Sequence, residues 1–255
     1  MTALEISSGL TSLVIGRPIR VYSEVTSTND IALQLASKGV QEGITIFAES
    51  QTHGRGRLGR SWNSVIGKSI MLSILLRPKW KDASRISLAA AVAVARTLES
   101  FTEESVGIKW PNDIYIAGRK VAGILCESSQ GAIVVGIGIN VLQETSGFPE
   151  PLATTAGSLA MVSDCVLDRA KIAASLLSEF DTLYATLPDG FESVIYECKR
   201  RSILIGRKIE ATSGRTTIRG TVNGLDLDGA LQIRDDYGVD RSLHAGDITL
   251  LKASS

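Results

Sequence analysis

Glu49-Ser50-Gln51-Thr52-His53-Gly54-Arg55-Gly56-Arg57-Leu58-Gly59-Arg60-Ser61-Trp62 is the most informative stretch of this 255-residue chain. Ahead of it, Ile44–Glu49 reads as a strand that runs into a glycine-arginine loop. Its glycines free the backbone and let peptide amides approach a ligand closely. Arg55, Arg57 and Arg60 repel one another unless something anionic sits among them, and guanidinium forks match phosphate and carboxylate geometry. Trp62 offers a face on which a base can stack. By itself the stretch is equally a solvated surface loop. It is not a Walker A loop, because no Gly-Lys-Ser/Thr closes it, and no helical pattern follows as a dinucleotide fingerprint requires.

Working outward, Thr28-Asn29-Asp30 followed by Ile31, Leu33 and Leu35 reads as a capped helix ending near Gly39. Ser69–Arg77 reads as a strand stopped by Pro78, and Ser84–Ser100 as a long core helix. Val106–Trp110 is broken by Pro111-Asn112-Asp113. Ile114–Ile116 and Lys120–Cys126 form a hairpin around Ala117-Gly118-Arg119. Gly131–Val141 is a buried strand, and two helices follow, one through Ile172, Leu176, Phe180 and Leu183, the other over Phe191–Arg200. After about residue 203 helical periodicity stops. Thr217–Val222, Ala230–Arg234 and Ile248–Leu251 alternate between turn signals at Asn223-Gly224, Asp228-Gly229 and Tyr237-Gly238. That texture predicts a small all-β unit, plausibly a barrel. The first part lacks a regular βαβ rhythm, so the fold class is α+β, divided into 1–202 and 203–255.

Lys and Arg total 27 and Asp and Glu total 27, so the net charge is zero, whereas a nucleic-acid-binding chain usually carries a basic excess. Three separated cysteines (126, 165 and 198) read as buried reduced thiols, and two histidines, His53 and His244, make a His-built zinc site improbable. The start carries no signal-peptide pattern, and the richest apolar runs, Leu88–Ala95 and Ile133–Ile139, are too short to span a bilayer. A soluble cytoplasmic protein is the expectation.

Other constellations are open when taken singly. Lys109-Trp110-Pro111-Asn112-Asp113 is either a plain turn or a lysine facing phosphate with an amide and a carboxylate beside it. Lys120 is either solvated or, given the apolar Val121–Leu125 behind it, a lysine projecting from a buried strand into a cleft. Ser27-Thr28-Asn29 caps a helix or hydrogen-bonds a polar ligand group. Asn140 terminates a strand, and Gln51 is ambiguous. No Ser/His/Asp or Cys/His arrangement and no acid-base carboxylate pair stands out, so catalysis would rest on positioning and electrostatics.

In order and spacing, Ser27-Thr28-Asn29, Glu49–Trp62, Lys109–Asp113, Lys120-Val-Ala-Gly-Ile-Leu125 and Gly136-Ile-Gly-Ile-Asn140 together resemble the biotin–protein ligase (biotin–[acetyl-CoA-carboxylase] ligase) family, from about residue 20 to the C-terminus. The resemblance implies a mixed-sheet catalytic domain of the biotin/lipoate ligase type followed by a small SH3-like barrel. It implies a two-step reaction, in which biotin and ATP form biotinyl-5′-AMP and a lysine of a biotin carboxyl carrier domain then takes the biotinyl group. Ser27, Thr28, Asn29, Gln51, Arg55, Gly56, Arg57 and Lys120 would contact biotin. Arg57, Arg60, Trp62, Lys109, Asn112, Asp113 and Asn140 would contact ATP or the adenylate. Lys120, with Arg57 and Lys109, would be catalytic, and Asp113 is the candidate for Mg2+. A mobile glycine-rich loop would close over the intermediate and exclude water. Family members are often homodimers. The Ser-Thr-Asn motif begins only at residue 27, which leaves no room for a preceding winged helix-turn-helix, so no DNA binding is expected. Position 53 departs from the family pattern: it holds His where a small residue is usual. The rivals are a lipoate ligase or octanoyl transferase, and a nucleic-acid-binding module built from the arginine loop and the barrel.

Overall fold

The computed structural model describes residues 1–80, 82–214 and 216–251. Residues 252–255, at the end of the predicted barrel, lie outside the described residues, as do positions 81 and 215. In chain order the elements are α1 (Ala3–Ser8), β1 (Ile19–Val25), α2 (Thr28–Ser37), β2 (Thr45–Gln51), β3 (Ser69–Leu76), α3 (Ala83–Glu99), β4 (Val106–Lys109), β5 (Asp113–Ile116), β6 (Arg119–Ser129), β7 (Ala132–Asn140), α4 (Arg169–Thr186), α5 (Phe191–Arg200), β8 (Lys208–Ser213), β9 (Thr216–Leu225), β10 (Leu231–Asp235), β11 (Asp240–Leu243) and β12 (Asp247–Leu250).

Seven strands form one mixed sheet in the order β1-β2-β3-β7-β6-β5-β4, with β1 and β2 parallel. Alternation along β3 and β7 sorts their side chains. Ile70, Leu72, Ile74 and Leu76, with Ile133, Val135, Ile137 and Ile139, join the large core under α3 and α4. The opposite face carries Leu75 and Val134, on which Ala32 and Ala36 of α2 pack. The β-branched runs thus serve two faces at once, and the functional groups lie on the α2 face. Helix α3 is buried almost all round through Ala89–Ala95, where small side chains let the sheet and α4 approach from two sides. Asp82 and Asp168 cap α3 and α4 by accepting their first free N–H groups. The hairpin predicted at 117–119 turns at Ala117 and Gly118, both with positive φ, as a two-residue loop demands.

Five antiparallel strands in the order β11-β10-β9-β8-β12 form the C-terminal SH3-like unit. Its turn at Asp226–Ala230 docks on the first unit. The buried Trp110 indole donates to the Gly229 carbonyl at 2.9 Å, and Arg85 pairs with Asp228 at 2.8 Å.

Several details differ from the sequence expectation. Helix α1 and strands β1, β8 and β11 add to the expected elements; β1 and β11 carry no clear period, β11 being almost wholly exposed, whereas β8 alternates through the buried Ile209 and Ala211. Asn223-Gly224 is not a turn. It lies inside β9, where the register shift opposite Gln232 and Ile233 makes a bulge, and the chain reverses only at Asp226. Cys165 is exposed, unlike the buried Cys198, because it sits on a connection with no core to enter. Residues 1–26 form α1 and β1, the latter an edge strand of the main sheet. Among the described residues no helix is long and apolar enough to cross a membrane.

Candidate active site

The sequence-predicted residues converge. Ser27, Thr28, Asn29, Gln51, Arg55, Gly56, Arg57, Arg60, Trp62, Lys109, Asn112, Asp113, Lys120 and Asn140 all line one cavity of about 290 Å³ on the α2 face of the sheet.

One end of the cavity is polar and, apart from Arg55 at its rim, lined by uncharged groups. Ser27 stands at the N-cap of α2 yet makes no side-chain capping bond. Instead the Thr28 N–H and hydroxyl donate to Gln51 Oε1 at 2.8 and 3.2 Å, so the carbonyl of Gln51 satisfies the helix end. Ser73 donates to Thr28 Oγ1 at 2.7 Å and also to Asn29 Oδ1. Helix α2 is therefore tied to β2 and β3 by side-chain hydrogen bonds, which leaves Ser27 free for a ligand.

The floor is made by glycines. A Cβ on Gly136 would come within 2.3 Å of Asn29 Oδ1, and one on Gly138 within 2.4 Å of the Trp62 ring. Gly123 and Gly138 are register partners on β6 and β7, and a Cβ on Gly123 would sit 3.2 Å from the same indole. Trp62 thus lies flat on a side-chain-free patch of sheet, with its Nε1–H buried and unpartnered. The Lys120 ammonium stands 5.8 Å from the ring centroid.

The other end is charged. Lys109 and Asp113 are cross-strand partners on β4 and β5, with Trp110-Pro111-Asn112 as the turn between them. Lys120 Nζ lies 2.6 Å from Asp113 Oδ1. Arg57 donates to Asn112 Oδ1 at 3.0 Å, while the Asn112 amide donates to the Ile124 carbonyl at 2.7 Å. Burial lowers the Lys109 and Arg57 pKa values, against the opposing charges of Asp113 and Asp247. Burial likewise pushes Tyr115 up to about 12. Asn140 is buried; it donates to the Gly157 carbonyl at 3.0 Å and accepts from Gln143 at 3.1 Å. Both asparagines have their amides engaged by the protein and act first as braces for Arg57 and for the 157 backbone.

The arginine loop closes the mouth. Arg55 pairs with Asp30 at 2.6 Å and with Glu127 at 2.9 Å, and Arg60 pairs with Asp247. Burial alone would lower the Arg55 pKa, but the hydrogen bond and charge of Glu127, with Asp30, carry the net shift upward. Arg55 and Arg60 thus find their anions within the protein itself, while Arg57 rests on the neutral Asn112 side chain. Gly56 N–H donates to the Arg60 carbonyl at 2.7 Å and Trp62 N–H to that of Gly54 at 2.9 Å, so the loop folds on itself. His53 is exposed, and its backbone N–H donates to the Thr26 carbonyl at 2.9 Å.

Sequence reasoning missed Tyr115, Glu127 and Asp247. Tyr115 was within reach, two residues after Asp113 on the same strand face. Asp247 has no local signal, because it arrives from the barrel. The expectation of Mg2+ at Asp113 meets a carboxylate already committed to Lys120, and Asp247 is committed to Arg60. Among the described residues no group of three or more His, Cys, Asp or Glu gathers to hold a metal. These residues do not build a resident magnesium site. An ion carried in on triphosphate oxygens needs few protein ligands.

A neutral polar pocket beside a cationic one, parted by an indole on a glycine floor, suits a ligase joining a polar acid to a nucleotide. Comparison with known proteins agrees with that class. The family model described as "Biotin/lipoate A/B protein ligase family" matches residues 21–144, and "Biotin protein ligase C terminal domain" matches 204–251. The chain is 34% identical over 254 residues to the bifunctional ligase/repressor BirA of Bacillus spizizenii, covering 96% of this chain and 78% of that protein. It is 32% identical over 244 residues to the biotin–[acetyl-CoA-carboxylase] ligase of Mycobacterium tuberculosis, covering 92% and 90%. The biotin protein ligase of Aquifex aeolicus, solved in complex with biotin and ATP, superposes with a TM-score of 0.82 at 30% identity, covering 93% of this chain and all of that one. The chain belongs to the biotin protein ligase family.

Proposed function

We propose that this chain joins biotin to ATP in the cavity above β6 and β7 and then passes the biotinyl group to a lysine of a biotin carboxyl carrier domain of acetyl-CoA carboxylase or a related carboxylase. The observation that carries the reading is the joining of the two pocket ends across Trp62. Biotin's ureido group is neutral, with donors and an acceptor, and matches Ser27, Thr28 and Gln51; Asn29, Arg55 and Gly56 complete that end. ATP takes the charged end, with Trp62 against adenine, Asn112 and Asn140 bracing the purine side, and Arg57, Arg60 and Lys109 on phosphate.

In the first step a biotin carboxylate oxygen bonds to the α-phosphorus, the bond from that phosphorus to the bridging oxygen breaks, and pyrophosphate leaves. Negative charge grows on phosphate oxygens, and Arg57, Lys109 and Lys120 are the cations that offset it. Lys120 is central. Its ammonium, aimed between Asp113 and Trp62, exchanges its carboxylate partner for the reacting carboxyl and the α-phosphate. Mg2+ bound to the triphosphate would offset further phosphate charge, and Asp113 would be the carboxylate to hold it. In the second step a carrier lysine amine attacks the acyl carbon and AMP leaves, while the arginine loop keeps water out. The site unit is 1–202 and the barrel 203–255; cytoplasmic residence and a homodimer complete the reading, the latter read by sedimentation.

The test is mass spectrometry of a carrier domain incubated with the protein, ATP and biotin. A gain of one biotinyl group on a single lysine is expected. Modification with lipoate but not biotin would sink the reading in favour of a lipoate ligase. Steeply salt-dependent nucleic-acid binding without biotin-dependent ATP turnover would favour the binding-module alternative.

A further inference from the structure

Asp247 is the first residue of β12, and its backbone is fixed by pairing with Thr212 of β8. The barrel that carries it is itself docked on the catalytic unit through Trp110 and Arg85. Both Asp247 carboxylate oxygens receive Arg60, the last arginine of the loop. The pair spans the cavity mouth, joining a loop of one unit to a strand of the other. It is also open to water: the Arg60 side chain is 65% exposed and that of Asp247 37%. Arg55, at the start of the same loop, is less exposed and has two partners on the catalytic unit itself. The loop backbone is therefore held within the catalytic unit, by Arg55 at its start and by Trp62 on the sheet at its end, and only the exposed Arg60 side chain is held by the barrel. A forked guanidinium–carboxylate contact has the same shape and charge as a guanidinium–phosphate contact. Being exposed, this one is weak enough to be exchanged.

We propose that Asp247 is a positioning residue for the nucleotide step, holding Arg60 over the cavity mouth while phosphate is absent and yielding it to ATP. The proposal rests on the reading of the charged end as the ATP site. Its electrostatic side is that Asp247 also acts on Lys109 and Arg57, so its carboxylate occupies the field that the phosphates enter. The barrel thereby sets how tightly the site takes its nucleotide, although it contributes no catalytic group.

The test compares the full chain with Asp247→Asn and Asp247→Glu in two assays. The first is tryptic cleavage of the unliganded protein, with fragments mapped to the bonds after Arg55, Arg57 and Arg60. In Asp247→Asn, cleavage after Arg60 should quicken by about two- to five-fold, the scale of an exposed ion pair, and Asp247→Glu should return it towards wild type. The second is biotin-dependent ATP–pyrophosphate exchange. There Asp247→Asn should lower the KM for ATP by a similar factor, with kcat and the KM for biotin held, because a competitor of phosphate has been removed. Unchanged cleavage after Arg60, or a KM for ATP that stays or rises, would overturn the proposal. Absence of exchange in the wild type would instead overturn the functional reading, and the cleavage assay, needing no substrate, would still decide whether Asp247 latches the loop.

Discussion

The floor and the rim of the cavity are built by different physics. The floor is the paired backbone of β6 and β7, where Gly123, Gly136 and Gly138 leave bare sheet for Trp62 and Asn29. Its contacts with Trp62 and Asn29 are close-packed and rest on paired backbone, so it has one shape. The rim is the loop from Gly54 to Trp62, held by Arg55, Arg57 and Arg60 on Asp30, Glu127, Asn112 and Asp247. Apart from the buried Asn112, those partners are carboxylates that stay in contact with water, so they can be exchanged for a ligand. A pocket that must hold a reactive adenylate needs both: a fixed surface to align the reacting atoms and a rim that opens and closes at little cost.

The contrast can be broken most forcefully at Lys120, which rises from the floor. Lys120→Ala should lose about 100-fold or more in kcat for pyrophosphate exchange, with a much smaller change in biotin affinity, since positioning of reacting groups acts chiefly on the transition state. Wild-type exchange in that variant would remove Lys120 from the chemistry. Gly138→Ala comes next. The added methyl must push the Trp62 ring, a packing strain of roughly 1–3 kcal/mol, and thermal unfolding together with biotin titration would register it. If stability and binding both held, the glycine floor would not be what seats Trp62.

A third measurement sharpens the boundary between floor and rim. Burial lowers the Lys109 pKa below the ordinary lysine range despite Asp113 and Asp247. The protonated form is the one that attracts phosphate. The KM for ATP should therefore begin to rise with pH earlier on the alkaline side than it would for an exposed lysine. Lys109→Arg, whose guanidinium stays charged, should remove that rise; an alkaline limb identical in the two proteins would assign it to another group. The smallest effect belongs to the rim. Arg55→Ala removes partly exposed pairs to Asp30 and Glu127 and should shift global stability by about 1 kcal/mol or less, while loosening the loop to protease. A loss of several kcal/mol in a denaturant titration would show that the loop start belongs to the floor.

Much of this was legible along the chain. Helical spacing marked α2, α3, α4 and α5, and apolar, β-branched runs bounded by turn residues marked β3, β5, β6 and β7 close to their true bounds. The site motifs could be read because each is short and carries its chemistry locally: three arginines among glycines, or lysine and aspartate across one turn. Strands β1 and β11 escaped because edge strands bury too little to impose a pattern. Asn223-Gly224 misled because the same pair serves a turn or a bulge, and only the partner strand decides which.

From the sequence alone came the kinds of groups present, their order, the α+β class and the change of texture near residue 203. These depend on interactions between residues a few positions apart, which composition and period record directly. Tertiary structure alone decided what neutralises the arginines, what Trp62 rests on, and that Gln51 rather than Ser27 satisfies the start of α2. Asp247 meets Arg60 across 187 positions and Glu127 meets Arg55 across 72. Nothing in either neighbourhood encodes such a meeting, because it follows from the register of seven strands and the docking of the barrel, which the whole core determines together.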